Sequence, residues 1–110
     1  MDLGNFSLSL AVADLDASRA FYEALGFSQI HGEPSQGWII LQNGDAKIGL
    51  FHGMFEANLI TFNPPDARAV ERAVRDAGYA IDKPTEGDEG PCHFALRDPD
   101  DNPILVDQHE

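Results

Sequence analysis

Large and small residues alternate one for one over Phe6-Ser7-Leu8-Ser9-Leu10-Ala11-Val12. A period of two predicts a strand. Phe6, Leu8, Leu10 and Val12 share one side and are expected to pack on helices. Ser7, Ser9 and Ala11 share the other and must face solvent or a cavity. The period then changes. Ala17, Ala20, Phe21, Ala24 and Leu25 recur at i, i+3, i+4, i+7 and i+8, which predicts an amphipathic helix with that stripe turned to the core. Asp14 and Asp16 suit the free amides at its start. Gly26 suits a left-handed cap, from which Phe27 folds back on the last turn.

The same pattern recurs 52 residues on, where Asp14 returns as Asp66, Gly26 as Gly78 and Phe27 as Tyr79. Val70, Ala73, Val74 and Ala77 form the second apolar stripe, behind Pro64 and Pro65. Ala57–Phe62 repeats the first strand, with Leu59 in the place of Ser7 and Thr61 in that of Ser9. A fixed offset across strand, caps and helix predicts a duplicated unit.

Short strands are expected after each helix, at Ser28–His31 and Ala80–Asp82. Trp38–Gln42 and Ala46–His52, joined by Asn43-Gly44, read as a hairpin with a type I′ turn. Gly53–Glu56 connects the halves, and its Met54 and Phe55 suit a subunit contact. Lys83–Gly90 reads as a solvated loop, followed by strands at Cys92–Arg97 and Ile104–Gln108. The order is strand, helix, three strands, twice. This predicts an α+β fold of two tandem βαβββ modules, about 5–53 and about 57–109, within a single domain over 1–110. Such modules form a curved mixed sheet whose concave cleft is the default binding site.

Composition narrows the function. Seven basic against nineteen acidic residues give a net charge of −12, which argues against nucleic acid and anionic membranes as partners. One cysteine, Cys92, allows no intrachain disulfide and suits a reducing compartment. No secretory leader and no apolar run near the ~20 residues of a membrane span is evident, so a cytoplasmic location is expected.

Ser9-Leu10-Ala11-Val12-Ala13-Asp14-Leu15-Asp16-Ala17-Ser18, with Phe21-Tyr22 and Leu25-Gly26-Phe27, resembles the first module of the vicinal oxygen chelate superfamily. That group includes glyoxalases, bleomycin-resistance proteins and extradiol dioxygenases. Arg97-Asp98-Pro99-Asp100-Asp101-Asn102-Pro103 resembles the turn before the family's last strand, where Asp-Pro-Asp-Gly-Asn is usual, with Asp101 in the glycine's place. The resemblance implies metal ligands at four inner-face positions, which here are Ser7, Gly49, Leu59 (with Asn58 the nearest polar residue) and Leu105. Serine, glycine and leucine do not supply the imidazoles and carboxylates of a divalent site. The expectation is therefore no metal and no cofactor.

Among other candidates, Asp98–Pro103 superficially matches the opening of a calcium loop, but proline stands at its sixth position and His109 at its twelfth, so an Asx turn explains it better. His52, His93 and His109 fall near strand ends, where Asp107 or Cys92 would complete a non-ancestral metal site. Surface histidines are the simpler alternative. His93 is the best single candidate for acid–base or ligand work. Cys92 lacks an activating motif and reads as a small buried hydrophobe. Trp38 suits stacking on a planar ligand, and equally a core or dimer contact. Ser7, Ser9, Trp38, Phe51, Thr61, His93 and Leu105 are the expected ligand-binding residues: a few polar groups among apolar ones.

The first reading is a metal-free, bleomycin-resistance-like homodimer that sequesters a small organic molecule. The second is a metal-dependent lyase, isomerase or dioxygenase of the glyoxalase type. The third is a structural or regulatory dimer with a vestigial cleft.

Overall fold

The computed structural model describes all residues, 1–110, as a mixed α+β fold of seven strands and two α-helices. The strands are β1 (Asn5–Ala11), β2 (Ser28–Glu33), β3 (Trp38–Asn43), β4 (Ala46–Phe51), β5 (Leu59–Asn63), β6 (Cys92–Arg97) and β7 (Pro103–Gln108). The helices are α1 (Leu15–Ala24) and α2 (Ala67–Asp76). Two compact units follow the duplication: residues 7–58, and residues 59–110 together with the first six.

The repeat is visible in individual hydrogen bonds. Asp14 accepts from the Ala17 amide as Asp66 does from Ala69, each at 3.0 Å. Gly26 N donates to Glu23 O, and Gly78 N to Arg75 O; Phe27 N reaches Tyr22 O, and Tyr79 N reaches Val74 O. Both glycines take the left-handed conformation, at φ 96° and 93°, that closes a helix. Phe27 folds back on Tyr22 at a centroid distance of 5.8 Å.

In residues 7–58 the strand order is β2-β3-β4-β1, with β1 and β4 parallel. Its core holds Ile39, Leu41 and Leu50, packed by Leu10, Val12, Leu15, Tyr22 and Phe27. The hairpin turn is Gly44-Asp45 rather than Asn43-Gly44, because Asn43 still pairs with Ala46. The Asn43 amide instead donates to Leu25 O at the end of α1.

In the other unit the order is β5-β7-β6, and Ala67, Val70, Cys92, Phe94 and Val106 form the core. The strand expected at Ala80–Asp82 does not form. Only the isolated bridge Lys83–Ala95 remains of it, so the second module is βαββ rather than βαβββ.

The expected burial is reversed at two places. Phe6 and Leu8 are exposed, whereas Ser7, Ser9 and Thr61 are 7%, 4% and 5% exposed. On α1, Leu15, Ser18, Arg19 and Tyr22 turn inward, and the apolar stripe Ala17, Ala20, Phe21, Ala24, Leu25 faces solvent. The corresponding α2 positions, Ala67, Val70, Glu71 and Val74, also turn inward. The same four repeat positions thus turn inward in both helices, and in α1 this leaves the hydrophobic stripe outside.

Asp98–Pro103 is an Asx turn. Asp98 accepts from the amides of Asp100 and Asn102 and from the Asn102 side chain, at 2.8–2.9 Å. Asp101 has φ 66°, the left-handed conformation for which the family's usual glycine is suited. Asp101→Gly is expected to raise the unfolding free energy by about 0.5 kcal/mol, since relief of the left-handed strain outweighs glycine's added entropy when unfolded; urea denaturation measures it. The Asn102 side chain, then the Asn102 and Asp100 amides, hold the Asp98 carboxyl below its ordinary 3.8. A depressed carboxyl stabilises the fold above its unfolded value, and that contribution is lost as pH falls through the folded value. Asp98→Ala should therefore flatten the decline in stability measured below pH 3.8.

Candidate functional site

Strand register builds one face from β1, β3 and β4. Ser9 lies beside Gly49, and Gly49 beside Ile40; Ala11 lies beside Phe51, and Phe51 beside Trp38. Alternation puts these residues on the side opposite Ile39, Leu41 and Leu50. Trp38 and Phe51 lie parallel, with centroids 6.4 Å apart and planes 6° from each other. Phe55 meets the Phe51 edge at 5.0 Å. All three rings are half-buried, which gives a preformed apolar surface with π-faces.

Phe55 is the residue that sequence reasoning assigned elsewhere. The structure uses it inside its own unit, and Met54 beside it is left exposed. The available signal was the composition of Gly53–Glu56, too apolar for a free connection.

Gly49 explains where the Phe51 ring lies. A Cβ there would sit 2.5 Å from Phe51 Cε2 and 3.2 Å from Ile40 Cδ1. The aromatic ring occupies the space that any side chain at position 49 would need. This bears directly on the family metal: position 49 has no donor and a side chain there would have to displace the Phe51 ring, Ser7 is buried, and Leu59 and Leu105 are apolar. These residues do not fit a divalent site.

The non-ancestral set does not assemble either. His109 Nε2 lies 3.3 Å from Asp107 Oδ2 and 3.2 Å from the Asn63 amide. His93 stands opposite Asp107 in register and is exposed. The His52 Nδ1 donates to Val12 O at 3.2 Å within its own unit. No three histidine, cysteine or carboxylate side chains converge on a point that could hold a metal.

Of the other expected site residues, Thr61 pairs with Leu105, and Leu105 with Ala95, on the face away from Phe94 and Val106. His93 lines a hollow of about 150 Å³ with Lys83, Glu86 and Cys92. The Cys92 thiol is buried and directed at Gln108 Oε1, 3.6 Å away, which fits the structural reading of this residue. A larger, open hollow of about 560 Å³ lies among Asp14, Asp16, Ser35, Gln36 and His52. A carbonyl only accepts, so the His52 bond to Val12 places the proton on Nδ1 and the lone pair of the neutral ring on Nε2.

The loop beside His93 is built rather than merely solvated. Arg68 donates from Nε to Gly87 O, from Nη1 to Gly90 O, and from Nη2 to Glu86 O and Glu89 O, at 2.9–3.2 Å. Glu71, 9% exposed, accepts from the Thr85 amide and hydroxyl at 2.8 Å. Arg68→Met keeps the aliphatic stem and removes all four donors. It is expected to cost about 2 kcal/mol and to speed amide exchange over residues 83–90 more than elsewhere.

The fold and the Asx turn before β7 define the class. The chain matches the family model of the Glyoxalase/Bleomycin resistance protein/Dioxygenase superfamily over residues 6–106 and belongs to that superfamily. Among solved structures it is similar to a glyoxalase/bleomycin resistance protein/dioxygenase superfamily member from Vibrio splendidus 12B01. That match has 16% identity, 94% of this chain and 97% of that chain covered, and a TM-score of 0.76. A structure described as NAD-dependent benzaldehyde dehydrogenase from Legionella pneumophila matches with 16% identity, 96% and 99% coverage and a TM-score of 0.80. Methylmalonyl-CoA epimerase from Streptomyces coelicolor matches with 23% identity, 97% and 98% coverage and a TM-score of 0.67. At these identities the likeness is one of fold. No curated protein matches the chain. No helix is long and apolar enough to cross a membrane.

Proposed function

We propose that this superfamily member binds a small, flat, largely apolar organic molecule on the β1–β3–β4 face, without the ancestral metal. The observation that carries the reading is Phe51 lying over Gly49: the family ligand position is filled by an aromatic ring. A planar ligand would stack on Trp38 and the Phe51–Phe55 pair, releasing water from the rings. Binding of this kind needs no bond chemistry and suits sequestration or carriage. Ser7 and Ser9 share the strand parity of this face; Thr61, Leu105 and His93 lie on the strands of the other unit and remain proposed binding residues there.

Trp38 is the sole tryptophan, so its fluorescence reports on this face alone. Protein purified without chelators is expected to retain no stoichiometric metal. Nickel, zinc, manganese and iron(II) should leave its unfolding temperature unchanged, whereas planar aromatic acids, quinones or heterocycles should quench Trp38 saturably and raise that temperature. Stoichiometric metal, or a large stabilisation specific to one metal, would overturn the metal-free reading in favour of a glyoxalase-type enzyme. No response to any ligand in a broad small-molecule set would favour a structural role instead.

A further inference from the structure

The β1–β3–β4 face carries opposite charges at its two ends. Strand alternation gives Lys47 the side shared by Gly49 and Phe51, and register sets it across from Gln42, as Phe51 is set across from Trp38. Glu33 of β2 pairs with Trp38, so a carboxylate flanks the aromatic end and an ammonium marks the other. Residues 7–58 contain only two lysine or arginine side chains, Arg19 and Lys47. Arg19 is paired with Glu23 on α1. Lys47 is half-buried, yet it makes no ion pair and no side-chain hydrogen bond. The Gln42 amide across from it donates to Gly44 O at 2.8 Å instead.

We propose that Lys47 is the specificity-determining residue of this face and that its ligand is a planar aryl carboxylate, with the ring on the aromatic cluster and the carboxylate at the Lys47 ammonium. The assignment rests on the aromatic face being a binding site, and it narrows that reading to one ligand class. Spacing supports it. Phe51 leans toward Lys47, since its Cε2 stands 2.5 Å from where a Gly49 Cβ would be. The π-surface therefore extends to within two residues of Lys47, about 7 Å along the strand. A carboxylate borne on the stacked ring, or one or two bonds from it, falls within reach of the ammonium. Glu33 fixes the direction, because a carboxylate turned to the Trp38 end would meet a like charge. Among residues paired on this face, the one other group able to carry a positive charge is His31, beside Ile40. It lies two strand spacings from β4, about 10 Å.

Stacking and charge divide the work. The rings supply contact that any flat aromatic molecule obtains. Lys47 supplies the choice among such molecules, through a charge-assisted hydrogen bond stronger than a neutral one. A fully exposed lysine would add little, but the stem of Lys47 is half-buried on the sheet. The net charge of −12 repels anions at long range, and salt screens that repulsion beyond ~8 Å. Discrimination is then left to the contact itself.

Calorimetric titration with cinnamate and with cinnamamide separates the two contributions, since the pair shares its ring and differs in charge. The wild-type chain should bind cinnamate about tenfold more tightly than the amide, and the advantage should shrink as sodium chloride is raised. Lys47→Met keeps the aliphatic stem. It should weaken cinnamate about tenfold and leave the cinnamamide constant unchanged, which also shows that the variant is folded. Lys47→Arg should keep the preference, and Lys47→Glu should reverse it. Equal binding of acid and amide by the wild-type chain overturns the proposal while the aromatic face stands as a binding site. So does a preference for the acid that survives Lys47→Met, or one that is lost in His31→Gln instead. If neither compound binds, the ligand reading itself fails and the assignment of Lys47 falls with it.

Discussion

Gln108→Leu is expected to lower the unfolding free energy by about 3 kcal/mol, read as a drop in the urea midpoint at constant slope. Gln108 is 8% exposed and joins four elements of its unit. Its Oε1 accepts from the Ala67 amide at 2.9 Å, satisfying a donor at the first turn of α2 that has no partner within the helix. The same oxygen receives the Cys92 thiol. Its Nε2 donates to Gly90 O at 3.1 Å and to Glu110 O at 2.9 Å. Leucine has a similar shape and fills the space. The loss therefore comes chiefly from stranding the Ala67 N–H, at about 1–3 kcal/mol for a buried donor; the Gly90 carbonyl keeps its bond from Arg68 Nη1. Cys92→Ala removes only a weak S–H bond and a small volume, and should cost clearly less. If the two substitutions cost the same, the pocket's packing and not its hydrogen bonding holds the C-terminal strand.

Gly49→Val is the second large effect, at about 2–3 kcal/mol, and it strikes the proposed binding face. Valine suits a strand by propensity, and at an uncrowded position it would be neutral or better. Here its Cβ alone falls 2.5 Å from the Phe51 ring, with Ile40 behind. The ring must leave, and overpacking of this kind typically costs 1–3 kcal/mol. Phe51 moving also ends its stacking with Trp38 and its edge contact with Phe55. The variant should therefore show altered Trp38 emission and lose any aromatic ligand that wild type binds. Gly49→His, which restores an imidazole to the ancestral position, should be destabilised in the same way and gain no metal. A stable, metal-loaded Gly49→His would show that Phe51 yields easily and that the metal site was lost only through chemistry at one residue.

Much of the fold could be read along the chain because the signals were local. Asp14 and Asp66 as caps, Gly26 and Gly78 as left-handed stops, and Phe27 folding back depend on residues within one helical turn, and all appear as expected. That Trp38 and Phe51 share a face came only with the register of β3 against β4. Errors arose where the outcome depended on neighbours distant in sequence. Ala80–Asp82 matched a strand in the first copy, but the chain meets the open edge of β6 only where Asp82 and Lys83 bond to Ala95, and no ladder extends from that bridge. Asn43-Gly44 read as a turn, yet the Leu25 carbonyl claims the Asn43 amide and the turn moves on by one residue. Lys83–Gly90 looked like solvated loop because its own residues are polar; the arginine that orders it lies on α2, fifteen residues before the loop begins.

The candidate site divides in the same way. The lack of metal donors at Ser7, Gly49, Leu59 and Leu105 was legible, since residue type alone decides coordination chemistry. That position 49 has no space was not legible, because the obstruction is a ring whose course depends on packing against Trp38 and Phe55. Ser7, Ser9 and Thr61 were grouped by strand parity, and the strands keep them on the sides that parity assigns; parity does not report accessibility, and all three are buried.

By itself the sequence determined the duplicated module, its capped helices, its strand faces and the family, because each rests on spacing and residue chemistry within a short window. Tertiary structure alone decided which way α1 turns. The periodic stripe Ala17, Ala20, Phe21, Ala24, Leu25 predicted an inward face, yet Leu15 and Tyr22 pack on the sheet instead. A helix has one orientation to give, and here the cap bonds and the sheet contacts fix it.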